Sequence, residues 1–138
     1  MSEIKVDTLT GKTTANDITV TVGASATQSL EQGLAKHWTN FDGSAATVTP
    51  RDSLNNSSIT DHGTGQFSMN FSNSFNNANY VGSGMSGSDG TTFGQARDLF
   101  INVTSPATSA FRIGTKQLND GSNVNDPQIH VLNTGDLA

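Results

Sequence analysis

The stretch QFSMNFS, residues 66–72, decides the fold that the sequence predicts. Its apolar residues Phe67, Met69 and Phe71 alternate with polar residues, which is the period of a β-strand. Successive side chains of a strand point to opposite faces of the sheet. We therefore expect the two phenylalanines and the methionine to face a core, while the intervening polar residues face water.

Similar short segments follow one another through the rest of the chain, with turns rich in glycine and asparagine between them. They read WTNF, ATVT, SSIT, NYVGSG, DLFINVT, AFRIGT and QIHVL. Closely spaced strands with polar turns are typical of antiparallel all-β domains rather than of alternating strands and helices. Residues 39–138 are therefore predicted to form an antiparallel β-sandwich or a small barrel.

The first part of the chain has a different pattern. EIKVDTL and DITVTVG alternate apolar and polar residues around a polar connection, which predicts a pair of strands within residues 1–25. In the next segment, residues 26–38, Leu30, Leu34 and Trp38 recur every fourth position after a possible capping box at Ser25 and Gln28. This spacing predicts a short helix with one apolar stripe.

Neither element is expected to be stable alone, because an isolated strand pair and a helix of about 12 residues are both marginal in water. We therefore expect the apolar residues of this region to be covered by sister chains or by a partner protein. The predicted assembly residues are Ile4, Val6, Ile18, Val20, Leu30, Leu34 and Trp38.

Composition limits the possible functions. The 138 residues carry a formal charge of −5 with seven Lys and Arg, which does not suit a phosphate backbone or an anionic membrane. Cysteine is absent, so disulfides and thiolate chemistry are excluded. With no predicted signal peptide or membrane-spanning segment, we expect synthesis and solubility in a cytoplasm.

No residue pattern indicates catalysis. His37, His62 and His130 are far apart and lack metal-ligand spacing, so no metal or cofactor site is predicted. Gly84 to Gly87 is one residue short of a nucleophile elbow, and the prediction is that the protein is not an enzyme.

The glycine-rich residues 82–94 are predicted to form an exposed loop between strands. Loops on a rigid scaffold often carry recognition, so we expect this one to be a receptor-contact loop. Its candidate contact residues are Tyr80, Met85, Ser88 and Asp89.

Three blocks of the sequence resemble a known family. SEIKVDTLTGK near the start, TQSLEQGLAKHW and the later RDSLNNSSITDHGTGQFSMNFSNSFNNANYV are similar to virion proteins of tailed bacteriophages, especially marine ones, described as tail fibre or structural proteins. The resemblance implies a homotrimeric, non-enzymatic appendage in the virion. It also implies that the N-terminal segment binds other virion proteins and that the β-domain faces outward.

The function that follows is attachment to a host surface, with a host glycan as a possible ligand. A capsid decoration or head-fibre protein is the alternative, because both kinds of protein use small β-domains without catalysis. A polysaccharide depolymerase or glycan hydrolase is the third possibility.

Overall fold

The computed structural model describes residues 4–11, 18–22, 25–88, 97–101 and 106–138. Contacts divide the chain into two compact units, Met1–Leu34 and Ala35–Ala138. The boundaries expected from the sequence, after residues 25 and 38, stay predictions.

The first unit contains a two-stranded antiparallel hairpin. Strand β1, Thr19–Val22, pairs with strand β2, Ala26–Ser29, and a single helical turn, Leu30–Gly33, follows. The Leu30 amide donates to the Ile18 carbonyl at 2.7 Å, which ties this turn back to the start of the hairpin.

Two expectations for this region are wrong. Residues 4–11 form no strand, and DITVTVG pairs instead with the segment that was assigned to a helix. Threonine and valine alternate in β1, which favours a strand. A short isolated helix is marginal in water, whereas the hairpin pairs the backbone groups of residues 26–29 with those of β1. The Leu30, Leu34 and Trp38 stripe does not form, because Trp38 belongs to a strand.

The described residues of the second unit form eight strands. They are β3 His37–Phe41, β4 Pro50–Leu54, β5 Asn56–Asp61, β6 Gln66–Phe71, β7 Val81–Gly87, β8 Arg97–Ile101, β9 Ala110–Gln117 and β10 Gln128–Thr134. They form two antiparallel four-stranded sheets, sheet I in the order β4-β3-β10-β7 and sheet II in the order β5-β6-β9-β8. The ATVT segment, residues 46–49, precedes β4 and is not a strand.

The inward faces of both sheets supply the core. As expected, Phe67, Met69 and Phe71 are buried. The Phe41 and Phe67 rings meet edge to face across the two sheets with centroids 5.3 Å apart, an arrangement that aromatic rings prefer. The other core residues are Phe75, Phe111, Ile113, Ile129 and Val131.

The all-β class is therefore confirmed, and the arrangement is sandwich-like. Neither sheet closes into a barrel in the part of the chain that the structure describes. One residue, Asn55, connects β4 of sheet I to β5 of sheet II. Its φ of 57° lies in the left-handed region, where asparagine is tolerated better than most residues.

The predicted receptor-contact loop is not a loop up to Gly87. GSGMSG lies in β7, paired along its length with β10. Gly82 and Gly84 point inward, and a Cβ on Gly82 would collide with the Phe111 ring, while one on Gly84 would lie 2.6 Å from the His130 carbonyl oxygen. Glycine is required at these two positions because the neighbouring atoms leave no room for a side chain, and not because the chain turns there.

Candidate functional site

The outward face of sheet I carries two rows of side chains. Residues directly opposite each other in an antiparallel pair lie on the same face, with Cβ atoms about 5 Å apart. The first row runs across the four strands as Leu54, Trp38, Leu132 and Ser83. The second row runs as Asp52, Asn40, His130 and Met85.

This face is unusually apolar for a surface. Met85 is 66% exposed, Leu54 44% and Leu132 41%, and Val81 at the start of β7 is 68% exposed. Single exposed apolar residues need no explanation, but several on one face mark an interaction surface.

A shallow hollow of about 500 Å³ lies on this face. We call it the Trp38 hollow, and its lining residues are Trp38, Thr39, Asn40, Ser83, Gly84, Met85, His130, Val131 and Leu132. Its volume is in the range of small-molecule sites. Because β3, β7 and β10 form one hydrogen-bonded sheet, the hollow rests on a rigid support.

Several polar groups of the Trp38 hollow have no partner in the described ranges. The Trp38 indole N–H, the Ser83 hydroxyl and the His130 imidazole make no side-chain hydrogen bond there. The Asn40 side chain uses only its oxygen, which accepts from Arg51 at 3.4 Å. The hollow therefore combines an apolar surface with unused hydrogen-bonding capacity.

Arg51 and Asp42 form the polar edge of this face. Arg51 Nη1 donates to the Pro127 carbonyl at 2.9 Å and to Gln128 Oε1 at 3.2 Å, and its Nη2 lies 3.2 Å from Asp42 Oδ2. The Ser44 hydroxyl bond lowers the pKa of the Asp42 carboxyl, and Arg51 lowers this pKa further. The arginine charge is thus compensated.

On the inward face of the same sheet, His37 is fully buried. The Asn133 amide donates to Nδ1 at 2.9 Å, so Nε2 carries the proton and donates to Asn56 Oδ1 at 3.2 Å. Desolvation lowers the pKa of His37, which the Asn56 bond partly opposes. The His37 ring also packs edge-on against Phe71. A neutral histidine in the core links the sheets and is not exposed to a substrate.

A buried ion pair lies at the other end of the sandwich. Arg97 Nε donates to Asp126 Oδ1 at 2.7 Å, and both side chains are at most 9% exposed. The Asp126 carbonyl also accepts from the Gly43 amide at 2.9 Å. These bonds connect β8 with the segments after β3 and before β10, and their role is structural.

The predicted assembly residues fall into separate places. In the first unit, Val20, Leu30 and Leu34 line a second hollow of about 240 Å³, and Ile18 precedes β1. Ile4 and Val6 are exposed and lie in residues 4–11. In the second unit, Trp38 faces outward from sheet I.

The predicted receptor-contact residues also separate. Tyr80 packs on the Phe75 and Phe111 rings, and its hydroxyl lies 3.0 Å from the Ala107 and Ala110 carbonyls, so it is a half-buried residue packed against the core. Burial raises the pKa of Tyr80. Met85 lines the Trp38 hollow from β7, Ser88 directly follows β7, and Asp89 lies outside the described residues.

The structure thus brings together Trp38 and Met85, which the sequence assigned to different roles. Sequence analysis missed Asn40, Ser83 and Leu132 as their neighbours. The alternation in HWTNF and QIHVL could have placed each residue on a face, but only strand pairing shows that these faces are continuous.

No family model, no curated protein and no solved structure matches this chain. Among the described residues, no group of histidine and acidic side chains could hold a metal ion. No helix in the described ranges is long and apolar enough to cross a membrane.

Proposed function

We propose that this chain is a non-enzymatic structural protein of a tailed-bacteriophage virion, a tail fibre or tail appendage that helps attach the particle to its host. The observation that supports the proposal is the Trp38 hollow, a concave and partly apolar surface on the outward face of a four-stranded sheet. The sequence resemblance to phage virion proteins supplies the biological setting.

The first unit supports an assembly role in this proposal. Ile4 is 84% exposed and Leu34 is 52% exposed, and a two-stranded hairpin is marginal without a partner surface. We propose that three copies associate through this unit and that it also contacts other virion proteins. Closed symmetric assembly would cover these residues and raise stability by mass action.

The proposal is tested by locating the protein on the particle. Antibody labelling of intact virions should place it on the tail, and purified protein should compete with phage for adsorption to host cells. A position on the capsid would instead support a decoration or head-fibre protein. Labelling of neither structure would contradict a virion role altogether.

The assembly part has its own test. Light scattering should give the mass of a trimer, and Leu34→Asp should dissociate or aggregate it because a charge would enter the covered surface. A folded monomer at micromolar concentration would contradict the trimer and leave the attachment proposal to be judged by its own experiment.

A further inference from the structure

We infer that the Trp38 hollow binds a neutral sugar ring of a surface glycan. This inference rests on the proposed attachment function and adds to it the binding site and the chemical class of ligand. It is carried by the apolar surface, the unused hydrogen-bonding groups and the charge of the outward face of sheet I.

The apolar part of the hollow suits the face of a sugar ring. Trp38 and Leu132 are directly paired across β3 and β10, and Met85 lies on the neighbouring strand β7. One face of a pyranose ring consists largely of C–H groups, and an aromatic ring offers a large apolar surface with a polar N–H at its edge. Trp38 can therefore contact the ring while its indole N–H reaches a hydroxyl.

The polar groups of the hollow suit the hydroxyls of the same ligand. Ser83, His130 and the amide nitrogen of Asn40 all line the hollow without a hydrogen-bond partner in the described ranges. A purely apolar partner would bury these groups unpaired, which is unfavourable for each of them. A sugar avoids this loss, because its hydroxyls both donate and accept.

The charges around the hollow favour a neutral ligand. The guanidinium of Arg51 is already compensated by Asp42 and bonded to Pro127 and Gln128. Asp52 lies on the same outward face next to Asn40, and its carboxylate would repel an acidic sugar. The formal charge of −5 on the whole chain also disfavours an acidic ligand.

A second copy of the chain is the main competing occupant. Another copy would need polar groups placed against Ser83, Asn40 and His130 as well as an apolar surface against Leu132. A single sugar binds weakly, but several copies on one particle would raise the overall affinity by about 100-fold or more. The hollow need not bind tightly to support attachment.

The test uses the fluorescence of Trp38, which is the only tryptophan in the chain. The full-length protein is titrated with neutral glucose, galactose, mannose and N-acetylglucosamine oligosaccharides, with polygalacturonate as the acidic comparison. We expect at least one neutral series to cause a saturable change in emission at millimolar concentration. His130→Ala should weaken that binding by about fivefold to tenfold, since it removes a hydrogen bond.

The matched control is His62→Ala. His62, which is more exposed than the half-buried His130, bonds to Ser68 of β6 at 2.8 Å and does not line the hollow, so this variant should bind as the parent does. Far-ultraviolet circular dichroism checks that both variants are folded.

Three results would overturn the inference: no response to any neutral series, binding of the acidic polymer alone, or an equal loss in both histidine variants. An emission change that depends on protein concentration without sugar would assign the face to a second copy instead. Because particle labelling is independent of sugar binding, a labelled tail protein that binds no neutral sugar would refute the ligand and leave the proposed function standing.

Discussion

The outward faces of the two sheets differ in how their polar groups are used. On sheet II the side chains bond to one another: Asn70 donates to Ser58 and Thr60 at 3.0 and 2.9 Å, and Arg112 donates to Gln66 at 2.9 Å. On sheet I, apolar side chains lie beside the Ser83 hydroxyl and the His130 imidazole, which make no side-chain hydrogen bond in the described ranges.

This difference distinguishes a hydrophilic face, on sheet II, from the face of sheet I that we propose binds a ligand. On sheet II, neighbouring polar side chains bond to one another and present a hydrophilic surface. The face of sheet I leaves apolar area in contact with water, and its donors are available for a ligand because they have no protein partner in the described ranges.

The largest predicted effect concerns β10, whose adjacent residues face opposite ways. Val131→Asp should unfold the second unit, because Val131 is buried in the core. The free-energy cost of burying an unpaired charge there would exceed a total stability of about 5–15 kcal/mol. Leu132→Asp should leave it folded and abolish binding at the Trp38 hollow. Urea denaturation followed by circular dichroism measures both, and unfolding of the Leu132 variant would show that the outward face belongs to the fold.

A smaller effect is expected from pH. The pKa of folded His37 lies below the unfolded value of 6.5, so the unfolded chain binds more protons as pH falls from about 7 towards 5. Stability should therefore decrease on acidification through this range, by at most about 1.4 kcal/mol per pH unit.

His37→Gln should flatten this dependence, because glutamine does not titrate. The Asp42 carboxyl, whose pKa lies below 3.8, titrates outside the range. The measurement is the free energy of unfolding in urea at several pH values. Equal slopes for the parent protein and the variant would contradict a neutral buried His37.

The sequence predicted the all-β class because alternation such as that of Phe67, Met69 and Phe71 is a local property. It failed at residues 26–38, where the spacing of Leu30, Leu34 and Trp38 matched a helix by coincidence. It also failed at Gly82 and Gly84. In sequence, a glycine that is required because neighbouring atoms exclude a side chain cannot be distinguished from a glycine that is required by a turn. The Trp38 hollow could not be predicted, because its residues meet only through the registers of β3, β7 and β10.

The two outward faces can be compared directly with matched alanine variants. Asn70→Ala removes two hydrogen bonds from sheet II and should cost about 0.5–1 kcal/mol of stability without changing adsorption competition. Ser83→Ala removes an unused hydroxyl from sheet I and should leave stability within about 0.5 kcal/mol while weakening adsorption competition. Thermal denaturation measures stability, and adsorption assays measure competition. If Asn70→Ala weakened adsorption competition and Ser83→Ala did not, the roles of the two faces would be reversed.

The smallest expected effect on stability comes from the polar edge of the hollow. Asp42→Asn breaks an exposed ion pair with Arg51, and such pairs contribute about 0–1 kcal/mol. The variant should therefore unfold at almost the same urea concentration as the parent protein. It leaves the Arg51 charge uncompensated beside the hollow, so acidic sugars should compete better against neutral ones, and this gain should decrease with added salt because exposed charges are screened. Competition by polygalacturonate at low and high salt measures the effect, and an unchanged preference would show that Arg51 lies too far from the bound ligand to influence it.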